Sequence, residues 1–308
     1  MSKKYTPEQL KVLSAKDITT QSRSDYVEKQ LRLLEVETPA IPHMTGVLER
    51  DYDQRFEYKP KRTKSPSRIA WHDGKVLHVI RLGKTTNAKI ARPTDKVLQT
   101  YHFDLRQLAL VRSHLDGKSK FSMKQFFDLD EACCLDCPLS NNAGDGNCYT
   151  HKVGQYKGFL SMLRSICRND EVFYGLDDVD RLGIKLMAER ADYIRFGTYG
   201  EPSLLPIDLV GDIVLSKRDH VKWTGYTHQA RKEWAQAYKA FFMASAHSDK
   251  DAASITGWRS FVCVDKGDTS TAVQCPASAE LSLTTCAKCG LCSGVTGKGR
   301  KNIKINMH

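Results

Sequence analysis

Four short apolar runs occupy residues 192–265: DYIRFGTYGEP (192–202), KWTGYTHQ (222–229), AFFMASAHS (240–248) and RSFVCVD (259–265). Between them lie PIDLVGDIVL, ARKEWAQAYKA and DKDAASITG, each with helical periodicity or a capping Asp and a glycine stop. Short strands alternating with helical stretches are the pattern of parallel βα units. The expected fold class is therefore α/β, either a βα-repeat partial barrel or an open parallel sheet. The polar residues gather where each strand would end: Thr198, Tyr199 and Glu201; Thr227, His228 and Gln229; Ser245, His247 and Ser248; Asp265. Any one of them is an ordinary loop group facing water. Four strands in succession point to a shared mouth, because ligand sites in such folds lie at the carboxyl ends of the strands.

Working toward the N-terminus, LRQLALVRSHL (105–115) predicts a helix stopped at Asp116-Gly117. RIAWHDGKVLHVIRLG alternates about Asp73-Gly74 and predicts a β-hairpin with a two-residue loop, with strands within 69–82. Ahead of it, RFEYKPKRTKSPSR sets Arg55, Lys59, Lys61, Arg62, Lys64 and Arg68 against the single acid Glu57, with two prolines breaking any helix. Such a run is a solvated linker or an arm that contacts the phosphates of DNA or RNA. Val27, Leu31 and Leu34, with Ser24 as cap, predict an amphipathic helix over 24–36. The organisation expected is a basic N-terminal arm over 1–68 and an α/β metal-binding core over 69–308, Cys-rich from about 272.

The chain has 308 residues, 41% hydrophobic and 27% charged, with formal net charge +11. Residues 1–130 hold 25 Lys+Arg against 16 Asp+Glu, so the excess sits in front. No apolar run approaches the roughly 18 residues of a membrane span, and MSKKYTPEQLKVLSAKD carries no apolar stretch after its charges. A soluble intracellular protein with no membrane partner is expected.

Ten clustered cysteines in a reducing compartment point to metal rather than disulfides. The first cluster, EACCLDCPLSNNAGDGNCYTHK, holds Cys133, Cys134, Cys137 and Cys148. Adjacent cysteines do not easily face one ion, so Cys134, Cys137 and Cys148 are the expected ligands, leaving one coordination position open. The second, QCPASAELSLTTCAKCGLCSG, holds Cys275, Cys286, Cys289 and Cys292. Its two consecutive x2 spacings resemble runs that wrap an iron–sulfur cube, and zinc takes thiolates of this kind as well. Cys167 and Cys263 fall in apolar stretches and read as core. NIKINMH closes the chain as a short strand ending at His308.

A three-cysteine cluster entering a βα array, followed by Tyr199-Gly200-Glu201-Pro202 at a strand end, resembles diverged radical S-adenosylmethionine enzymes. The order CxxCPL, Cys-Tyr, CPAS, CxxCxxC and a terminal strand ending in His is also similar to a cysteine-rich family encoded by tailed bacteriophages, over roughly residues 85–308. The radical family's usual loop is C-x3-C-x2-C, whereas this chain has C-x2-C-x10-C. The resemblance implies a [4Fe–4S] cube on Cys134, Cys137 and Cys148 and the methionine amine of S-adenosyl-L-methionine at Tyr199, Gly200, Glu201 and Pro202. It further implies an auxiliary 4Fe–4S cluster on the second cysteine group, and a cytoplasmic setting in an infected bacterial cell. Glu201, Thr227, His228 and His247 are then the expected catalytic and cavity-lining residues, and a nucleotide or nucleic acid the expected substrate. The alternative is a non-catalytic nucleic-acid-binding protein with two structural zinc or iron–sulfur sites. A zinc hydrolase or deaminase is a weaker third: the H-x-E with P-C-x-x-C signature is missing, and GVTGKGRK (294–301) lacks P-loop spacing.

Overall fold

The computed structural model describes residues 67–306, apart from 152, 217–221, 266, 268, 279 and 298. The expected helix over 24–36, all of the basic stretch but Arg68, and His308 lie outside the described residues. Arg68 itself is engaged: its guanidinium pairs with Glu171 and reaches Ser165 Oγ at 3.2 Å.

The chain enters as the expected hairpin, β1 (Arg68–His72) and β2 (Val76–Lys84), paired antiparallel. Its turn sits one residue later than the sequence pattern indicates. Asp73 N–H bonds Val76 O at 3.2 Å, and the Asp73 carboxylate accepts from the backbone of Lys75 and Val76. Gly74, at φ 99°, takes the left-handed backbone this turn requires. β3 (Lys96–Asp104) adds antiparallel to β2 and leads directly into α1 (Leu105–Leu115), the predicted helix to the residue. Asp104 and Gln107 form a capping box there. Two short helices follow, α2 (Met123–Phe127) and α3 (Glu131–Cys134), then the long α4 (Val153–Asn169). After the two-residue β4 (Phe173–Tyr174) comes α5 (Asp178–Glu189).

All four apolar runs are strands. They are β5 (Tyr193–Tyr199), β6 with β7 (Lys222–Thr224 and Tyr226–Thr227), β8 (Met243–Ala246) and β9 (Ser260–Val264). The connections are α6 (Ile207–Leu215), a 3₁₀ helix over Glu233–Ala240, and α7 (Asp249–Ser254). The third run begins its strand only at Met243, because Ala240 still belongs to the 3₁₀ turn. β10 (Val273–Gln274), α8 (Cys286–Cys289) and β11 (Ile303–Asn306) complete the order.

The architecture is α/β with two sheets. A six-stranded mixed sheet has the order β4-β1-β2-β3-β5-β6, and a five-stranded sheet, parallel throughout, the order β10-β11-β9-β8-β7. The hairpin is what makes the first sheet mixed: beyond it β3, β5 and β6 are parallel. Among the described residues the strands do not close into a barrel. The second run splits between the sheets at Gly225, where a Cβ would stand 2.5 Å from Cδ1 of the fully buried Phe242. Only glycine lets the chain step from one sheet to the other at this point.

Two cores flank the mixed sheet. On one face Ile69, Ile80, Leu98, Ile194 and Phe196 pack against Met187 of α5 and Ile213 of α6, and this core continues under the parallel sheet to Ala244 and Val262. On the other, Tyr101 and Phe103 meet Phe126, Phe159 and Tyr199 in an aromatic cluster beneath α1 and α4. Each such fully buried side chain stabilises the fold by about 1.5–3 kcal/mol relative to exposure. All ten cysteines are free thiols, and no helix among the described residues is long and apolar enough to cross a membrane.

Candidate functional site

The first cysteine loop follows β3 and α1, and its backbone folds it tightly. Asp104, besides capping α1, accepts from Ala132 N at 3.2 Å and so ties the loop to the end of β3. The buried Asp130 carboxylate accepts from the backbone of Asn141 and Asn142, and Cys148 N–H bonds Leu139 O at 3.0 Å. The ten-residue excursion between Cys137 and Cys148 is therefore a closed loop that returns the third thiol to the first two. Gly144 makes this closure feasible, since a Cβ there would fall 2.0 Å from Pro138 O.

Of the adjacent pair, Cys133 is buried in the aromatic core and its thiol donates to Asp130 O at 3.4 Å, while Cys134 packs at the edge of the same core and is partly exposed. The Cys134 thiol is pushed well above its ordinary pKa by Cys133, 3.9 Å away, and by burial. Burial pushes the Cys137 thiol up to about 12, opposed by the backbone N–H groups of Leu139 and Ser140, the latter of which bonds Cys137 O at 3.1 Å. Burial likewise raises Cys148, opposed by the hydroxyl and N–H of Thr150. Cys275 repeats this design. It too opens a Cys-Pro-x-Ser turn, in which Ser278 N–H bonds Cys275 O at 2.9 Å and the amides of Ala277 and Ser278 oppose the rise that burial imposes on the thiol. Amides beside a thiol favour the thiolate, the form that binds metal.

The strand ends converge on this loop. Glu201 N–H donates to Cys133 O at 2.7 Å, which seats the Tyr199–Pro202 turn directly on it. Gly200, at φ 75°, is pressed so closely that a Cβ would lie 2.5 Å from His102 O and 3.1 Å from Cys133 O. Cys137 Sγ lies 3.4 Å from His228 Nδ1, and the His228 ring stacks on His247 with centroids 5.8 Å apart. Burial, then the neighbouring His247, lowers His228 to about 4. The Nε2 atoms of His228 and His247 are buried with no hydrogen-bond partner among the described residues. The mouth thus presents thiols and two stacked imidazoles whose Nε2 atoms have no partner among the described residues.

Other expected site residues have structural roles. The Glu201 carboxylate is buried; it accepts from Ser203 N and Oγ through Oε1 and from His228 N through Oε2, capping the 3₁₀ turn Pro202–Leu204 and bracing it to the end of β7. Burial raises its pKa against these donors. Thr227 Oγ1 accepts from Gln229 N at 2.9 Å. Tyr199 turns its ring into the aromatic core, where its hydroxyl takes a 2.8 Å bond from Gln107, so at the mouth it offers backbone only. Ser248 caps α7.

The second cysteine group packs on the inner face of the parallel sheet. Cys275, Cys286 and Cys292 share one apolar cluster with Met243, Tyr226 and Phe261. Burial pushes Cys286 up to about 11 and Cys292 up to about 12, and Cys275 and Cys289 act on both. α8 is held by Cys286 N and Ala287 N, which bond Lys89 O and Ile90 O at 2.9 Å. Arg259 fixes the following segment through the carbonyls of Leu291, Ser293 and Lys301.

Among the described residues no three His, Cys, Asp or Glu side chains are already gathered at metal-holding geometry. The chemistry nevertheless fits soft metal: seven thiols in two groups, three of them beside backbone amides that favour the thiolate, and two imidazole nitrogens near the first group with no partner among these residues. An open cleft of about 550 Å³ lined by Arg112, Asp116, Cys167 and Asp170 lies at the far end of α4 from Cys148, crossed by the Arg112–Asp170 ion pair.

Arg195, Tyr193 and Thr224 escape a reading that looks for polar groups only at strand ends. Their signal is an arginine at an alternating position inside an apolar strand. The chain matches no protein-family model, no curated protein and no solved structure.

Proposed function

We infer that the chain is a radical S-adenosylmethionine-like enzyme whose parallel strands form a partial barrel with the reactive site at its mouth. The observation that carries this reading is the 2.7 Å bond from Glu201 N–H to Cys133 O, which joins the Tyr199–Pro202 turn to the three-thiol loop. Cys134, Cys137 and Cys148 would hold a [4Fe–4S] cluster, and Cys275, Cys286, Cys289 and Cys292 a second. When bound, the first cluster supplies the electron that cleaves S-adenosylmethionine reductively. The chain's own residues orient and shield. The Gly200 turn offers its backbone to the methionine amine, Glu201 keeps that turn and His228 in fixed relation, and the stacked rings of His228 and His247 wall the cavity. A nucleotide or nucleic acid substrate is in keeping with the charge of the N-terminal arm.

A second reading, structural zinc in a nucleic-acid-binding protein, has the Cys137–His228 contact in its favour, since zinc accepts sulfur and imidazole together.

S-adenosylmethionine titration into anaerobic, reduced, iron-loaded protein, followed by electron paramagnetic resonance, distinguishes the two. The enzyme reading expects the cluster signal to shift, and Cys148→Ala to abolish the shift while retaining the iron of the second group. An unchanged signal at saturating S-adenosylmethionine in fully loaded protein rules that reading out.

A further inference from the structure

Arg195 sits in the middle of β5, registered between Gln99 of β3 and Thr224 of β6. Its neighbours Ile194 and Phe196 face the core beneath α5 and α6, so strand alternation turns Arg195 to the opposite, inner face, along with Tyr193 and Thr224. Arg195 is half-buried, and a guanidinium that loses part of its hydration at a strand face is ordinarily compensated by a carboxylate. Among the described residues no carboxylate stands within ion-pair distance of Arg195; the bond it makes runs from its terminal nitrogen to Tyr149 Oη at 2.7 Å. Tyr149 follows Cys148 in the first cysteine loop and is 46% exposed, so the guanidinium lies just inside an opening.

Two further groups on this face have no hydrogen-bond partner among the described residues. Tyr193 Oη is fully buried and unbonded, although its ring packs beside Cys286 and Ala287 of the second cysteine group. Thr224 Oγ1, the lateral neighbour of Arg195 across the sheet, is also buried and unbonded. A buried hydroxyl without a hydrogen bond costs about 1–3 kcal/mol. Beside a guanidinium with no carboxylate among the described residues, two such hydroxyls make a set of donors without an acceptor.

We propose that Arg195, with Thr224 and Tyr193, forms an anion-binding site on the inner face of the strands, between the two cysteine groups, and that it takes the phosphate or carboxylate of the substrate. The site rests on the enzyme reading above and narrows its substrate to a small molecule with an anionic group. Arg195 is suited to either anion because its planar fork pairs two oxygens at once. The donors lie on adjacent strands, so the ligand would be held by rigid elements rather than by loops.

The experiment is calorimetric titration of the full chain with inorganic phosphate and, separately, with acetate. Wild type is expected to bind at least one of them saturably; phosphate alone identifies a phosphate ester as the ligand class, and acetate binding a carboxylate. Arg195→Gln should weaken that binding roughly tenfold to a hundredfold, as expected for loss of charge-assisted bonds, and Arg195→Lys should retain part of it. Should Arg195→Gln fail to fold, Thr224→Val should still weaken binding severalfold. Absence of saturable binding of both anions, or equal binding in wild type and these variants, overturns the proposal. The S-adenosylmethionine response is measured on the same preparations. Its loss with Arg195-dependent anion binding intact defeats the enzyme reading alone; its presence without anion binding defeats this site alone.

Discussion

Four side chains form a directional line through the mixed sheet. Gly197 N–H donates to Thr100 Oγ1 at 2.8 Å, and Thr100 Oγ1 stands 3.4 Å from His102 Nε2. The two imidazoles meet Nδ1 to Nδ1 at 3.0 Å, and His78 Nε2 faces Asp73 Oδ2 at 3.4 Å. These contacts are mutually consistent when the Thr100 hydroxyl donates to His102, His102 Nδ1–H donates to His78, and His78 Nε2–H donates to Asp73. Burial holds His102 well below the usual imidazole range, with His78 adding to the effect and Asp73 opposing it. Burial raises Asp73, but the bonds from His78, Val76 and Lys75 prevail and bring it to about 2. The unfolded chain therefore takes up protons before His102 does, so stability falls as pH drops below about 6.5. The Asp73 contribution is present above about pH 4 and is lost as pH falls toward 2. Thermal denaturation between pH 8 and pH 5 should show this decline in wild type and a shallower one in His102→Phe. Identical slopes would remove His102 from the account.

At the scale of elements, the C-terminal cysteine segment has little regular structure, and Arg259 at the start of β9 substitutes for it. Its guanidinium is buried and donates to the carbonyls of Leu291, Ser293 and Lys301 around Gly299, where a Cβ would come 2.3 Å from Arg259 Nη2. Arg259→Leu leaves these carbonyls unsatisfied and should lower stability by about 3 kcal/mol. If the arrangement of Cys289 and Cys292 depends on this pin, metal content should fall by the share of the second group while the first group's share stays. Chemical denaturation and metal analysis check the two parts separately; full metal content in a destabilised Arg259→Leu would separate folding from loading.

The elements themselves were largely legible. The four apolar runs are strands because apolar and β-branched residues in short bounded stretches have few other ways to be buried, and the helix over 105–115 follows from its Asp104 cap and glycine stop. Less legible was where one run divides: Gly225 shifts sheets because of Phe242, a contact distant in sequence. The amphipathic pattern of residues 230–240 becomes a 3₁₀ helix, since burying Ala235 and Tyr238 needs only a three-residue period. At the strand ends, residue type marked the mouth but not what each side chain does there. Glu201 and Tyr199 are held by Ser203, His228 and Gln107, partners that composition does not reveal. Arg195 was hidden by the same locality, since its setting, with Tyr149 as partner and no carboxylate within ion-pair distance among the described residues, is set by contacts distant in sequence.

For the whole molecule, the two cysteine groups bracket one inner face: the first closes the mouth formed by β3, β5, β7 and β8, and the second lies against β8, β9 and β11. Arg195 stands between them, bonded to Tyr149 beside the first and two residues from Tyr193 beside the second. That layout suits a reactive centre and an electron-carrying or structural centre sharing a substrate cavity. On the enzyme reading proposed above, whether the chain binds metal, and which, is the decisive quantity. The direct measurement is the iron, acid-labile sulfide and zinc content of protein prepared anaerobically, with its visible spectrum. Two [4Fe–4S] clusters require about eight iron and about eight sulfide per chain in a brown protein; a colourless protein with about two zinc ions and no sulfide contradicts the enzyme account.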